Sequence, residues 1–164
     1  MGQEAIEVST GQVKAAVEKG ILRSTAIGSC IVVTAYNFKN KIGAMAHIML
    51  PGSAPEDTAE KTKYAADAID ELINIMPEAG LEKGDTQVCL VGAANVLERE
   101  DDTICNANIE FVTDILKEKN IPVRASAIGG TERKSVFMDI EKGCISYTEG
   151  DKEEKTLWQV SQLN

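Results

Sequence analysis

Apolar and polar positions alternate through the first third of the chain and switch to helical spacing twice further on. Glu4 to Val8 and Gln12 to Val17 read as short strands parted by the turn cluster Ser9-Thr10-Gly11. Ile21 to Ile27 is a third extended run, after the turn Glu18-Lys19-Gly20. Next come two β-branched runs, Ile31 to Tyr36 and Lys41 to Leu50, on either side of the polar Asn37-Phe38-Lys39-Asn40, which predicts a β-hairpin. Both of its faces are apolar, so both must be covered, as in a layered α/β sandwich. Ala65, Ala68, Ile69, Leu72, Ile73 and Met76 recur at helical spacing, with Asp57 or Thr58 as the expected N-cap and Pro77 as the stop. Thr86 to Val91 reads as a buried strand. A second amphipathic helix carries Cys105, Ile109, Val112 and Leu116, with Asn120 as its left-handed cap. Val123 to Ile128 is a strand, and Ser135 to Ile140 with Cys144 to Tyr147 form a last hairpin. From Glu149 the chain is polar and expected to be loosely held, with Leu157, Trp158 and Val160 tucking one turn against the body.

The central hairpin carries the candidate chemistry. With its loop centred between Phe38 and Lys39, Cys30 falls directly opposite His47, the one histidine of the chain. Opposed residues of an antiparallel pair share a face, with Cβ atoms about 4.5–5.5 Å apart. A thiol beside an imidazole is what a cysteine nucleophile needs, because the thiolate is the reactive species and the imidazole draws off its proton. The inert reading stands beside it, since free cysteine and a lone histidine in apolar runs also serve as core residues. Gly28-Ser29 ahead of Cys30 admits a close backbone approach, and the N–H groups of Ser29 and Cys30 are candidate oxyanion donors; a plain strand-entrance bulge is the alternative.

Length and charge narrow the class. One domain is the natural expectation for 164 residues. A net charge of −9 and a pI near 4.7 argue against nucleic acid and against anionic membrane surfaces. No run approaches the ~20 apolar residues of a membrane span, and the N-terminal segment lacks the basic and apolar regions of a signal peptide, so a cytoplasmic location is expected. Cys30, Cys89, Cys105 and Cys144 have no CxxC spacing, which with a single histidine argues against a zinc site. In a reducing cytosol the last three are expected to be inert thiols. No P-loop or dinucleotide fingerprint is present, so no cofactor is implied.

Gly28-Ser29-Cys30 followed by Gly43-Ala44-Met45-Ala46-His47-Ile48-Met49-Leu50-Pro51 resembles the chemoreceptor glutamine deamidase family, CheD. Lys63-Tyr64-Ala65 and the segment Gly129-Gly130-Thr131 to Ser135 are similar to it as well, so the resemblance spans nearly the whole chain. It implies Cys30 as nucleophile and His47 as base. The family completes a triad with a threonine six residues before the cysteine, where this chain has Ser24; the adjacent Thr25 falls on the opposite face of an extended segment. A family Gly-Gly-Ala-x-Met-Phe segment that docks a partner protein is here Gly92 to Leu97, with leucine for the aromatic residue. The implied function is hydrolysis of glutamine side chains on methyl-accepting chemoreceptors, with a CheC-like phosphatase as a further partner. The expected fold is a single α/β layered sandwich, sheet-rich, mixed or antiparallel, with two main helices: residues 1–150 as the CheD-like domain and 151–164 as a polar tail. A non-catalytic adaptor binding receptors or the phosphatase is the main alternative, and a general thiol protease a weaker one.

Overall fold

The hairpin forms the middle of three layers. The structure, a computed structural model, describes residues 4–77, 84–101 and 104–163; Asn164 of the polar tail lies outside the described residues. Five strands, β1 (Ala5–Glu7), β2 (Val13–Val17), β3 (Ile21–Ile27), β4 (Ile31–Asn37) and β5 (Ile42–Ile48), are followed by helix α1 (Ala65–Ile75). Then come β6 (Thr86–Gly92), helix α2 (Ile104–Glu118), β7 (Val123–Ile128), β8 (Lys134–Asp139), β9 (Cys144–Glu149) and β10 (Lys155–Gln159). The strands make two five-stranded sheets, ordered β2-β5-β4-β6-β7 and β1-β3-β8-β9-β10. Each is mixed, with β6/β7 and β1/β3 as the parallel pairs. This is the sheet-rich α/β sandwich with two helices that the patterning predicts.

Strict alternation along β4 and β5 explains the layering. Ile31, Val33, Ala35, Ala44, Ala46 and Ile48 pack under α1 and α2, against Ala68, Ile69, Leu72, Val112 and Leu116. Val32, Tyr36 and Met45 face the other sheet, against Leu22, Val136, Met138 and Ile145. The sheets are in close contact at Gly43, where any Cβ would run into Ile140 and Met138.

Three expectations are corrected. First, the hairpin pairs Asn37 with Ile42 and Val32 with His47, so Cys30 does not oppose His47. Asn37 belongs to the sheet: buried, it donates Nδ2 to Thr86 Oγ1 at 3.1 Å while its Oδ1 accepts the Asn40 N–H at 2.9 Å. Lys41 in turn enters the loop at φ 49°. A two-residue displacement keeps every side chain on its face, whereas a one-residue slip would have inverted them all. Second, α1 is capped by neither Asp57 nor Thr58. Tyr64 is its N-cap, and the first amides bond backward to main chain, Ala65 N to Leu50 O and Ala66 N to Gly52 O at 2.9 Å each. Those carbonyls replace a side-chain cap. Third, the segment after Glu149 is structured: β10 pairs with β9, and Trp158 is buried with its ring centroid 6.1 Å from that of Tyr36.

If β10 is part of the core, Trp158→Ala lowers unfolding free energy by about 3–5 kcal/mol. Denaturant titration checks it; a loss under about 1 kcal/mol would mean a dispensable tail.

Candidate active site

Cys30 sits one residue before β4, on the face between the two sheets, half-buried against Val32 and Met45. His47, buried on β5, lies on the same face. With Val32 opposite His47, the cysteine is its diagonal neighbour, about 7–8 Å away between Cα atoms. No hydrogen bond joins thiol and imidazole in this resting arrangement.

The groups that hold them come largely from the stretch that joins β1 to β2. The Val8 carbonyl accepts from His47 Nδ1 at 3.1 Å and from Ser24 Oγ at 2.6 Å. Donation through Nδ1 assigns the tautomer and leaves Nε2 as a free base. Ser24, on β3 in the facing sheet, is fully buried, while Thr25 points outward and bonds Glu7. Ser24 therefore reaches the imidazole through a shared carbonyl and not by a bond of its own. The His47 main chain is held on the same stretch, Gly11 N to His47 O at 2.8 Å and His47 N to Gln12 O at 3.0 Å. Between these anchors, the Thr10 side chain lies beside the Cys30 thiol and favours its thiolate.

Burial governs the protonation of the pair. It raises the Cys30 pKa above 9.0, opposed in part by the Thr10 hydroxyl. It lowers that of His47 below 6.5, opposed by the Val8 hydrogen bond and the charge of Glu7. Both shifts favour the uncharged form, so the pair rests as thiol and neutral imidazole.

The segment ahead of the thiol is tightly framed. β3 bulges between Ser24 and Ile27, with Ala26 at φ 54°. Gly92, at φ 117°, has no room for a side chain: a Cβ there would lie 2.6 Å from the Cys30 carbonyl oxygen. Ala93 at φ 54° then donates its N–H to that oxygen at 2.6 Å. A cavity of about 330 Å³ begins at Gly28 and Ser29 and runs past Leu97, Arg99 and Ile104 to Arg133. Leu97 is 71% exposed on its rim. The Gly129-Gly130 turn lines a separate, neighbouring cavity of about 260 Å³; it is bonded to Gly92 and Asn95 and braced by the buried Lys134.

The other cysteines stand apart from this chemistry. Cys89 is fully buried with its thiol pushed up to about 11, Cys105 donates to the Ala94 carbonyl at 3.2 Å, and Cys144 is half-buried on β9. Among the described residues no three His, Cys, Asp or Glu side chains converge in a way that would hold a metal. No described helix is long and apolar enough to cross a membrane. Sequence patterning did not reveal Val8, Thr10 or Asn108, whose Nδ2 donates to both Ser29 O and Met49 O. Val8 acts through its main chain, Thr10 has the character of an ordinary turn residue, and Asn108 is a single polar position on the buried face of α2.

Comparison with known proteins gives consistent matches. A profile described as CheD chemotactic sensory transduction matches residues 49–149. A protein of Chlorobium luteolum named probable chemoreceptor glutamine deamidase CheD is 39% identical over 156 residues, covering 94% of this chain and 78% of that protein. A Thermotoga maritima protein named chemoreceptor glutamine deamidase CheD is 30% identical over 136 residues, covering 83% and 86%. A Haloarcula marismortui protein with the probable form of that name is 28% identical over 142 residues, covering 85% and 82%.

A thiol whose pKa lies above 9.0 alkylates slowly at neutral pH. The Cys30 rate with iodoacetamide should rise about tenfold per pH unit from 7 to 9, without the low-pH plateau of a thiolate–imidazolium pair. Thr10→Val, removing a donor that favours the thiolate, should slow it about threefold at pH 8. Stopped alkylation with mass spectrometry of the Cys30 peptide reads both; a plateau near pH 6, or a faster Thr10→Val, contradicts them. Ser24→Ala should cost about 1 kcal/mol in thermal unfolding, because the Val8 carbonyl keeps its second donor.

Proposed function

The chain belongs to the CheD family, and on that premise we propose that it deamidates glutamine side chains of methyl-accepting chemoreceptors in the cytoplasm, by a cysteine–histidine mechanism serving chemotactic adaptation. The observation that supports this most is the shared face: a half-buried thiol and a neutral imidazole with an unspent Nε2 stand as diagonal neighbours between the two sheets.

The chemistry follows from those two groups. Nε2 of His47 accepts the Cys30 proton as Sγ bonds to the carboxamide carbon, and the carbonyl electrons move to oxygen. N–H groups of Ser29 and Cys30 receive that oxyanion. As it collapses, the C–N bond breaks and His47 returns the proton to nitrogen, releasing ammonia and leaving a thioester. A water molecule, deprotonated by His47, then attacks the thioester; the C–S bond breaks, the product is glutamate, and the thiol regains its proton. A glutamine side chain is long enough to enter a shallow cleft from a folded helix, so the substrate needs no unfolding. Diagonal placement means that thiol and imidazole must close together when the amide is bound, as resting catalytic hydrogen bonds often do.

A second reading is a non-catalytic adaptor. The missing thiol–imidazole hydrogen bond favours it, as does Leu97, an exposed apolar residue open to a partner such as a CheC-like phosphatase.

The two separate in one assay with a purified chemoreceptor cytoplasmic fragment carrying glutamine at its modification sites. The enzyme reading expects ammonia release and the matching amide-to-acid mass change, lost in Cys30→Ala and reduced about 10²- to 10⁴-fold in His47→Gln. The acid limb of kcat/KM should have an apparent pKa below 6.5, since only neutral His47 is a base and burial lowers its pKa. Tight binding without ammonia release would establish the adaptor, and fragmentation of the receptor chain would point to a protease.

A further inference from the structure

Asn108 is the buried polar side chain that the chemistry above leaves without a task. It lies on the inner face of α2 with no solvent exposure, and its Nδ2 donates to two carbonyls flanking the central hairpin, Ser29 O just before β4 at 3.0 Å and Met49 O just after β5 at 3.2 Å. Two acceptors facing one amide group require the nitrogen there, because the oxygen would meet two lone-pair clouds. Its Oδ1 is buried with no partner among the described residues. An orphaned buried acceptor opposes folding, so stability alone does not account for an asparagine at this place.

Its two partners give it a more specific role. Ser29 O belongs to the Ser29–Cys30 peptide, immediately before the thiol, and Met49 lies two residues beyond His47. The neighbouring carbonyls are held as well, Gly28 O by Ala94 N at 2.8 Å and Cys30 O by Ala93 N at 2.6 Å. Three successive carbonyls are thus pinned, and the middle one hangs on a side chain. By contrast, the N–H groups of Ser29 and Cys30 make no hydrogen bond among the described residues. In a trans peptide N–H and C=O point in opposite directions, so holding the Ser29 oxygen aims the Cys30 N–H.

We propose that Asn108 is a positioning residue that locks the Ser29–Cys30 peptide, presenting the Cys30 N–H to the developing oxyanion and tying that peptide to the strand that bears His47. The proposal rests on the deamidase reading for what the N–H stabilises, but the orientation of the peptide can be observed without it. The bond acts where glycine and serine leave the backbone free to turn. A peptide flipped at that point would put a carbonyl oxygen where the oxyanion forms and repel it.

The test uses Asn108→Ala and Asn108→Leu in the full chain; leucine keeps the shape and removes the donor, so it serves if the alanine variant does not fold. With the glutamine-bearing receptor fragment, kcat should fall about 100-fold, the low end of what loss of one oxyanion donor costs, with KM within about twofold. Alkylation of Cys30 by iodoacetamide needs the thiolate but no oxyanion hole, so its rate and pH profile should stay within about twofold of the unaltered protein. Crystal structures of the variants should show the Ser29–Cys30 peptide rotated or in two orientations. An unmoved peptide, or alkylation falling in parallel with kcat, overturns the proposal. Failure of the unaltered protein to release ammonia would sink the deamidase reading instead, and the crystallographic comparison would still decide whether Asn108 sets this peptide.

Discussion

One carbonyl oxygen joins the two sheets at the site. The chain leaves the outer sheet at β1 and enters the central sheet at β2, and Val8 is the last residue still bonded to the outer one, its N–H donating to Arg23 O at 2.7 Å. The oxygen of the same residue accepts from Ser24 in the outer sheet and His47 in the central sheet. A carbonyl has two lone pairs, and both are used. Removing this acceptor would leave two buried donors unsatisfied, at about 1–3 kcal/mol each. The imidazole is therefore oriented by the closure of the sandwich itself. Any shift of one sheet against the other moves Ser24, Val8 and His47 together, and Met45, 3.5 Å from Ser24 Oγ, fills the space beneath.

The same burial decides the electrostatics. A desolvated thiolate–imidazolium pair must regain several kcal/mol per ion through contact and hydrogen bonds. Here the two groups are diagonal neighbours, and Thr10 is the one side chain that favours the thiolate. The charged pair is accordingly the disfavoured form at rest, and in the proposed mechanism charge separation waits for an amide carbon in reach. An uncharged thiol is oxidised and alkylated slowly, so this resting state also protects Cys30.

What the sequence made legible depended on the range of the cause. Alternation in Ile31 to Tyr36 and in Met45 to Leu50 is local, and it correctly predicted a strand pair covered on both faces. Face parity followed as well, which is why Cys30 and His47 share a face despite the wrong register. The register itself was set from outside the hairpin, by Thr86 on β6 drawing Asn37 into the sheet. Similarly, Asp57 and Thr58 resembled helix caps because the carbonyls that do the capping, Leu50 and Gly52, carry no side-chain signature. Trp158 read as a loosely tucked residue because Lys155 to Gln159 is too short for periodicity to show, and only Tyr36, far back in the chain, explains its burial. Asn108 and Thr10 belong to the same class: their meaning lies in partners distant along the chain.

Two of the six non-glycine residues held at positive φ among the described residues flank the thiol. Ala26 and Ala93 hold positive φ although neither is glycine, a conformation that costs of order 1 kcal/mol or more each. One sits in the β3 bulge shortly before Cys30, and the other bonds the Cys30 carbonyl. Such conformations persist only where the surroundings over-determine them. Here they do: the Ala26 N–H is taken by Ser135 Oγ, and the Ala93 N–H by Cys30 O. Gly92, the last residue of β6, admits no larger residue, since its α-carbon lies against the Cys30 and Ile31 backbone. The strained positions and the pinned carbonyls serve one end. They fix the carbonyls around Cys30, while among the described residues the N–H groups of Ser29 and Cys30 remain unpaired, on the side where the proposed mechanism would bring an amide oxygen.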